Sequence, residues 1–188
     1  VIIPIYKSNE DYNAIEKYIN PLILNMKDNN ISCYFDTRNT VSPGFKFNEW
    51  EMKGVPIRIE VGPRDMESGS VIVVRRDTGD KNSLDVTLAA DNLKAILDEI
   101  QLNMFQQALR FREENTFTVK SYNDFKSILD KGGFIRCGWD GNVDSEAAVK
   151  SETKATIRCI LNAPTSKEKL CIYSGKAAKY EVIYAKSY

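Results

Sequence analysis

The run from Gly44 to Asp65 constrains the fold most, because it combines a helix pattern, a strand pattern and a turn in one short stretch. Its first half predicts a short helix. Four side chains recur there at three- and four-residue spacing: Lys46, Glu49, Trp50 and Lys53. On a helix these side chains share one face.

The second half of the run predicts a strand with one buried face. Between residues 55 and 61, apolar and charged residues alternate, so the aliphatic side chains point to one side while Arg58 and Glu60 point to the other. Gly62 and Pro63 then predict a turn that presents Arg64. The run therefore predicts a helix, a half-buried strand and a polar turn in succession.

The predicted outward face of this strand carries side-chain types whose chemistry suits an unpaired guanine. An arginine fork matches the O6 and N7 acceptors of guanine, and a carboxylate accepts from its N1 and N2 hydrogens when the base is single-stranded. Two interpretations stay open at this point. Arg58 and Glu60 either read a base or are solvated residues of a half-exposed strand, and Phe45, Phe47 and Trp50 either stack on bases or pack in the core.

Apolar periodicity elsewhere predicts an α/β fold, with a sheet flanked by helices and a smaller α/β unit from about Thr118. The predicted strands are 1–6, 31–35, 55–61, 70–75, 84–88, 133–137, 156–161 and 181–185. The predicted helices outside the run are 8–26, 90–112, 122–129 and 145–154. Pro21 predicts a kink or a break in the first helix near Asn20. Pro164 and the charges around it predict a surface loop at 162–169.

Charge composition excludes a global basic field, since 26 Lys and Arg residues balance 26 Asp and Glu residues. Any contact with RNA must therefore be local. The basic excess is steepest from Lys154 to the end, with seven basic and two acidic residues. The absence of histidine removes the usual general base at neutral pH and the commonest metal ligand.

The four cysteines lie far apart without a C-x-x-C pair, which indicates reduced thiols. No run approaches the roughly 18 apolar residues of a membrane span and no leader is visible, so we expect a cytoplasmic protein without a membrane partner. The chain starts at Val1, without methionine and inside a predicted strand. We therefore expect it to be cut from something longer.

Several segments share their wording with a known family. They are VIIPIYK (1–7), GFKFNEWEMKGVPIRIEVGPRD (44–65), VVRRD (73–77), ATIRCI (155–160) and SGKAAKYEVIYAKSY (174–188). Their order and spacing resemble the C-terminal part of prolyl-tRNA synthetases of the archaeal and eukaryotic-like type, which are class II aminoacyl-tRNA synthetases. The resemblance implies a five-stranded mixed sheet with flanking helices, followed by a smaller α/β domain. It implies an anticodon-binding domain at 1–104, the end of a linking helix at 105–118 and a C-terminal domain at 119–188.

The resemblance also implies a function. Enzymes of this family charge proline tRNA with proline, using ATP and magnesium, and are homodimers. Their catalytic domain precedes the matched region, so we expect no catalytic residue and no cofactor in this chain. The expected partners are proline tRNA, whose anticodon has guanines at its second and third positions, and the missing catalytic domain.

Carried over to this chain, the resemblance implies a set of anticodon contacts. They are Lys46, Glu49, Lys53, Arg58, Glu60, Arg64, Arg75 and Arg76. We assign base reading to Glu49, Arg58 or Glu60 and backbone neutralisation to the lysines. Arg75 and Arg76 are phosphate contacts of which only one is a strong candidate, since neighbours on a strand point to opposite faces. The family's terminal tyrosine, here Tyr188, implies a carboxylate directed toward the active site of the catalytic domain.

A zinc site of four cysteines is common in the C-terminal domain of this family. Its positions correspond here to Asp140, Ser145, Cys171 and Ser174, so one cysteine remains. Serine hydroxyls are poor zinc ligands at neutral pH, and we therefore predict no zinc.

Two other classes of function compete with tRNA binding. One is a regulatory domain that binds a small molecule at the strand ends, which the absence of a glycine-rich phosphate loop disfavours. The other is a structural or dimer-stabilising module, which the neutral overall charge favours.

Overall fold

The structure, a computed structural model, describes residues 1–162 and 169–186. The chain divides into two compact units, Val1–Gln106 and Gln107–Tyr188. The described residues form six helices and eight strands in two four-stranded sheets. The predicted α/β class is confirmed.

The bounds of the elements follow in chain order. The helices are α1 (Asn9–Asp28), α2 (Pro43–Met52), α3 (Pro63–Glu67), α4 (Ala89–Glu114), α5 (Tyr122–Lys131) and α6 (Val143–Thr153). The strands are β1 (Ile2–Pro4), β2 (Ile57–Val61), β3 (Ser70–Arg75), β4 (Lys81–Asp85), β5 (Thr116–Thr118), β6 (Phe134–Trp139), β7 (Ala155–Ile160) and β8 (Tyr180–Lys186). None of the helices in the described residues is long and apolar enough to cross a membrane.

The first sheet is mixed, with strand order β1-β2-β3-β4. β1 runs parallel to β2, and the other pairs are antiparallel. This sheet has four strands in the described residues, whereas five were predicted. The predicted strand at 31–35 contributes only an isolated bridge between Ile2 and Phe35. The reason is that β1 is three residues long and offers only a short edge for pairing.

The core of the first unit lies between one face of this sheet and helices α1 and α4. α1 buries Ile15, Ile19, Leu22 and Met26 at helical spacing. Ser8 caps α1 by accepting from the backbone N–H of Asp11 at 3.1 Å. The helix is not split at Pro21, because burial of Ile19 and Leu22 on either side offsets the lost backbone hydrogen bond.

The second unit contains the sheet β5-β6-β8-β7, in which β5 and β6 are parallel and the other pairs antiparallel. Phe125 and Leu129 of α5 and Val149 of α6 pack on this sheet. The ring of Tyr184 on β8 meets Phe125 edge-on at 5.3 Å between centroids. Most of the predicted loop at 162–169 lies outside the described residues.

Gly138 on β6 allows a second segment to approach the strand closely. Its carbonyl accepts from the N–H of Ile172 at 3.0 Å, and it forms a bridge with Cys171. A Cβ atom at this position would overlap the carbonyl oxygen of Leu170 and lie 2.8 Å from the Cβ of Ala178. The close contact places Cys171 beside the end of β6.

We expect Gly138→Ala to lower the free energy of unfolding of the second unit by roughly 1–3 kcal/mol, because backbone atoms cannot rotate away from the added methyl group. Urea unfolding followed by tryptophan fluorescence measures this, with Trp139 as the neighbouring reporter. The control is Gly44→Ala in α2, where the added Cβ meets open space and stability should stay equal or rise by up to about 1 kcal/mol. Equal stabilities of the Gly138→Ala and wild-type chains would contradict the close-contact interpretation.

Candidate nucleic-acid interface

Asp36 is the centre of the candidate nucleic-acid interface. It directly follows Phe35, which forms the isolated bridge to β1. It is fully buried, and its N–H donates to the carbonyl of Ile2 at 2.9 Å. Its carboxylate accepts from Arg38 Nε at 2.9 Å, from Arg38 Nη2 at 2.6 Å and from Trp50 Nε1 at 2.8 Å. Lys46 Nζ donates to the Asp36 carbonyl at 3.0 Å and lies 3.6 Å from the carboxylate. One carboxylate thus joins α2 to the edge of the first sheet.

These contacts keep Asp36 ionised. Hydrogen bonds from Arg38 hold the pKa of Asp36 well below its usual value, aided by Trp50 and Lys46 and opposed by burial. A buried charge needs such partners, since desolvation without them is costly. Asp36 therefore acts as a fixed negative charge beneath α2.

Lys46, predicted to contact RNA, lies beneath the surface with 2% of its side chain exposed. The predicted helix is present as α2, but one side of it faces Asp36 rather than solvent. The ammonium of Lys46 is consequently engaged inside the protein, and the structure gives it a positioning role.

Glu49 and Lys53 form a partly exposed pair on α2. Glu49 Oε1 accepts from Lys53 Nζ at 2.9 Å, and Oε2 accepts from Arg38 Nη2 at 2.6 Å. Hydrogen bonds from Arg38, and next from Lys53, lower the pKa of Glu49. The side chain of Lys53 is 50% exposed, and its ammonium lies 4.4 Å from the Trp50 ring centroid. Lys53 is therefore within reach of a ligand, while both oxygens of Glu49 already have donors.

Arg58 and Glu60 lie on the same face of β2 and contact each other, but this face is not the exposed one that the sequence predicts. Glu60 is buried and Arg58 is partly buried, because the two side chains and Phe47 cover each other. Arg58 Nε donates to Glu60 Oε1 at 2.9 Å, and Lys81 Nζ lies 3.4 Å from the same oxygen. The guanidinium of Arg58 covers the Phe47 ring at 4.3 Å from its centroid. One face of Phe47 is thus occupied by a cation, which leaves that face closed to a stacked base.

Arg75 and Arg76 differ sharply in their surroundings. Arg75 binds both oxygens of Asp77, at 3.1 and 2.9 Å, and Glu99 at 2.8 Å. Arg76 is exposed, and its side chain has no hydrogen bond or ion pair among the described residues. The same holds for Arg64 on α3. Arg64 and Arg76 thus carry open guanidinium groups, whereas that of Arg75 is committed to the fold.

A pocket of about 220 Å³ lies beside the end of α2. Its lining includes Trp50, Glu51, Arg58, Arg75, Arg76 and Lys81. The volume lies below the roughly 300–1,000 Å³ of typical ligand sites and suits a single flat ring system. Donors from Arg58, Arg76 and Lys81 suit the acceptor edge of a nucleobase or a phosphate oxygen.

Three residues of this surface escaped the sequence analysis: Asp36, Arg38 and Lys81. Asp36 and Arg38 stand between the predicted strand at 31–35 and the helix of the run, and Lys81 stands between the predicted strands at 70–75 and 84–88. The one available signal was the Asp-x-Arg pair directly after an apolar run. Nothing in that pattern indicates that the carboxylate is buried.

The four positions of the absent cysteine cluster meet around one carboxylate. Ser145 Oγ donates to Asp140 Oδ1 at 2.7 Å, and Ser174 Oγ donates to Oδ2 at 2.6 Å. Cys171 is buried, and it lies close enough to Asp140 to help lower the pKa of that carboxyl. In the described residues no group of three or more His, Cys, Asp or Glu side chains is arranged to hold a metal ion. A hydrogen-bonded cluster therefore joins these four positions, and the absence of zinc stays a prediction.

The hydroxyl groups around Asp140 stabilise its charge. Burial raises the pKa of Asp140, but hydrogen bonds from Ser174 and Ser145 lower it by more. The net effect is a fall in the pKa from 3.8 to about 2. Tyr188, the remaining predicted site residue, lies outside the described residues.

Comparisons with known proteins identify the family. A family model described as an anticodon binding domain matches residues 1–98, and one described as the C-terminal part of prolyl-tRNA synthetase matches residues 122–188. The chain belongs to the anticodon-binding domain family. The resemblance seen in the sequence is confirmed at this level.

Curated proteins are similar to this chain over its whole length. A proline–tRNA ligase of Cytophaga hutchinsonii is 43% identical over 189 residues, covering 100% of this chain and 38% of the relative. One from Porphyromonas gingivalis is 40% identical with the same coverage, and one from Chlorobium phaeobacteroides is 43% identical over 100% of this chain and 40% of the relative. The chain thus spans about two fifths of the length of these curated relatives.

We expect Asp36→Asn to destabilise the first unit by about 3–5 kcal/mol, because Lys46 then stays buried without a neutralising partner. Denaturant unfolding followed by Trp50 fluorescence measures the loss. Adding Lys46→Met should recover part of it by removing the unpaired charge. The control, Glu51→Gln, changes a carboxylate that is 58% exposed and should cost at most about 1 kcal/mol. A loss from Asp36→Asn as small as that of the control would refute the role of Asp36.

We expect the Asp140 cluster to make the second unit sensitive to acid. Because the folded pKa of Asp140 is depressed from 3.8 to about 2, its contribution is present above pH 3.8 and is lost as the pH falls through about 2. Asp140→Asn should flatten the fall in unfolding free energy across this window. Glu181, with a folded pKa of about 2, should leave a residual slope.

The matched control for Asp140→Asn is Asp144→Asn, an exposed carboxylate at the start of α6. It should keep the wild-type pH profile of unfolding free energy. Identical profiles for the two variants would show that Asp140 does not carry the acid sensitivity.

Proposed function

We propose that this chain is the anticodon-binding and C-terminal portion of a proline–tRNA ligase, and that its first unit binds the anticodon of proline tRNA. The observation that carries the proposal is that two family models match this chain in succession, at 1–98 and 122–188. The relatives that align with the whole chain are proline–tRNA ligases. The local arginine cluster that lines the pocket, Arg58, Arg75 and Arg76, supports the proposal further. On a unit that is acidic overall, such a cluster favours a specific contact over general attraction to RNA.

Base reading is assigned to the face of β2 that carries Arg58 and Glu60, and to the adjoining pocket. Arg58 and Glu60 already form an ion pair there, and a guanine edge offers acceptors to the arginine and donors to the carboxylate. Glu49 is the third candidate, although Arg38 and Lys53 must share its oxygens with the base.

Phosphate contacts are assigned to the cations that project into solvent without a committed partner. Arg64 and Arg76 meet this condition, and half-exposed Lys53 meets it in part. Lys46 and Arg75, both predicted from the sequence as contacts, act as positioning residues instead, because Asp36 and Asp77 hold their charges.

The remaining properties belong to the proposed whole enzyme. It charges proline tRNA by way of ATP and magnesium in a catalytic domain outside this chain, as a cytoplasmic homodimer. We assign no catalytic residue to the chain itself, which contains no histidine. Tyr188 keeps its proposed role as a terminus directed toward that catalytic domain.

A structural or dimer-stabilising module is the second candidate. One observation favours it: residues 1–106 hold 12 Lys and Arg residues against 16 Asp and Glu residues. A net negative unit repels an RNA backbone at long range, so binding must depend on the local arginine cluster.

Two substitutions separate base reading from phosphate contact. Arg58→Ala should weaken binding of a proline anticodon stem-loop by about 1–3 kcal/mol and blunt discrimination against a stem-loop altered at one guanine. Arg76→Ala should weaken both stem-loops alike and lower the salt slope by about 1. Fluorescence anisotropy at several salt concentrations measures both effects.

The control for these variants is Lys94→Ala, which removes an exposed cation of α4 away from the pocket. It should leave affinity and preference unchanged. If Arg58→Ala and Glu60→Ala both left binding and anticodon preference at the wild-type values, the assignment of this face would be wrong.

A further inference from the structure

A second cationic surface lies in the second unit, in a cleft that we call the lysine groove. It has a volume of about 750 Å³ and is lined by the ends of α5 and α6 and by β7 and β8. Its charged residues are Lys126, Lys150, Lys154, Lys186, Asp130 and Glu152. The groove therefore carries four positive and two negative charges.

Internal ion pairs neutralise only half of the lysines. Lys186 Nζ lies 3.0 Å from Asp130 Oδ1, and Lys126 Nζ lies 3.4 Å from Glu152 Oε2. Lys150 and Lys154 are exposed, and their side chains have no hydrogen bond or ion pair among the described residues. Two cations four residues apart thus face the groove with their charges available.

Helix stability accounts for one of these two lysines. Lys150 lies in the last turn of α6, where a cation interacts favourably with the helix dipole. Lys154 ends the helix in the left-handed conformation, with φ of 63°, where glycine is preferred and a lysine is strained. Backbone conformation alone would therefore favour glycine over lysine at position 154.

Charge distribution along the chain points the same way. Residues 107–188 hold 14 Lys and Arg residues against 10 Asp and Glu residues, whereas residues 1–106 hold 12 against 16. Long-range attraction of a polyanion must then come from the second unit. Lysine ammonium groups and threonine hydroxyls, such as that of Thr156 in the groove, are common phosphate contacts.

We propose that the lysine groove binds the phosphate backbone of tRNA without reading its sequence, and that Lys150 and Lys154 make the contacts. The inference rests on the proposed function, since it takes tRNA as the ligand. The second unit thereby adds backbone contacts to those assigned to Arg64 and Arg76 in the first unit, while base selection stays with the first unit.

The test uses the whole chain with a proline tRNA transcript and a transcript altered at its two anticodon guanines. The variant Lys150→Gln/Lys154→Gly removes both charges, and glycine relieves the strained backbone, so the midpoint of thermal unfolding should not fall. Binding of both transcripts should weaken by the same factor. The slope of log K against log salt should drop by about 1.5, since each phosphate contact contributes roughly 0.7–0.9.

The matched control is Lys120→Gln/Lys131→Gln, which removes two exposed lysines of the same unit outside the groove. It should change the slope much less than the groove variant does. Equal effects of the two variants, or a groove variant with the wild-type slope, would overturn the proposal and leave an acidic protein surface as the ligand to examine. So would a wild-type chain without affinity for tRNA at low salt.

The two proposals fail in different ways. If the groove variant keeps the wild-type salt slope and the chain still prefers the transcript with the guanines, only the proposal for the lysine groove is contradicted. A slope change in a chain that never discriminates the two transcripts supports the groove as a backbone site and contradicts the anticodon assignment.

Discussion

The buried carboxylate of Asp36 is the interaction on which the candidate interface depends. Burial of a carboxylate is costly unless hydrogen-bond donors surround it. Asp36 accepts from Arg38 in the adjacent loop and from Lys46 and Trp50 of α2. Trp50 and Lys46 are thereby fixed over the edge of the first sheet. Lys53 and Glu49 on the same helix take their positions from this anchor, and so does the wall of the pocket beside Arg58.

A carboxylate organises the second unit in a comparable way. Asp140 accepts hydrogen bonds from hydroxyl groups of α6 and of the turn after Cys171, at positions that the family resemblance assigns to a zinc site. Gly138 makes this arrangement possible by letting the segment at Leu170 pass close to β6. In both units, a carboxylate that needs hydrogen-bond donors fixes the positions of the polar side chains around it. The two units also carry opposite net charges.

Periodicity predicts most of the fold because apolar spacing reflects burial directly. The strand at 70–75 was predicted with its observed bounds, and the short helix predicted in the first half of the run 44–65 is present as α2. The short helix α3 and the three-residue strand β5 were missed, since neither is long enough to show a period. The burial of Lys46 was unpredictable for a different reason. It depends on a carboxylate ten residues earlier, whose own burial leaves no trace in the pattern. Family resemblance indicates the proposed ligand, but only the structure shows that Lys46 and Arg75 are committed to internal partners.

The most direct measurement of the central claim is the affinity of the wild-type chain for a proline anticodon stem-loop, set against one with both guanines replaced. The account predicts tighter binding of the stem-loop that keeps the guanines, with a preference that persists as salt is raised, because base contacts depend less on salt than phosphate contacts do. Equal affinity for the two stem-loops at every salt concentration would contradict the claim that the first unit reads the anticodon.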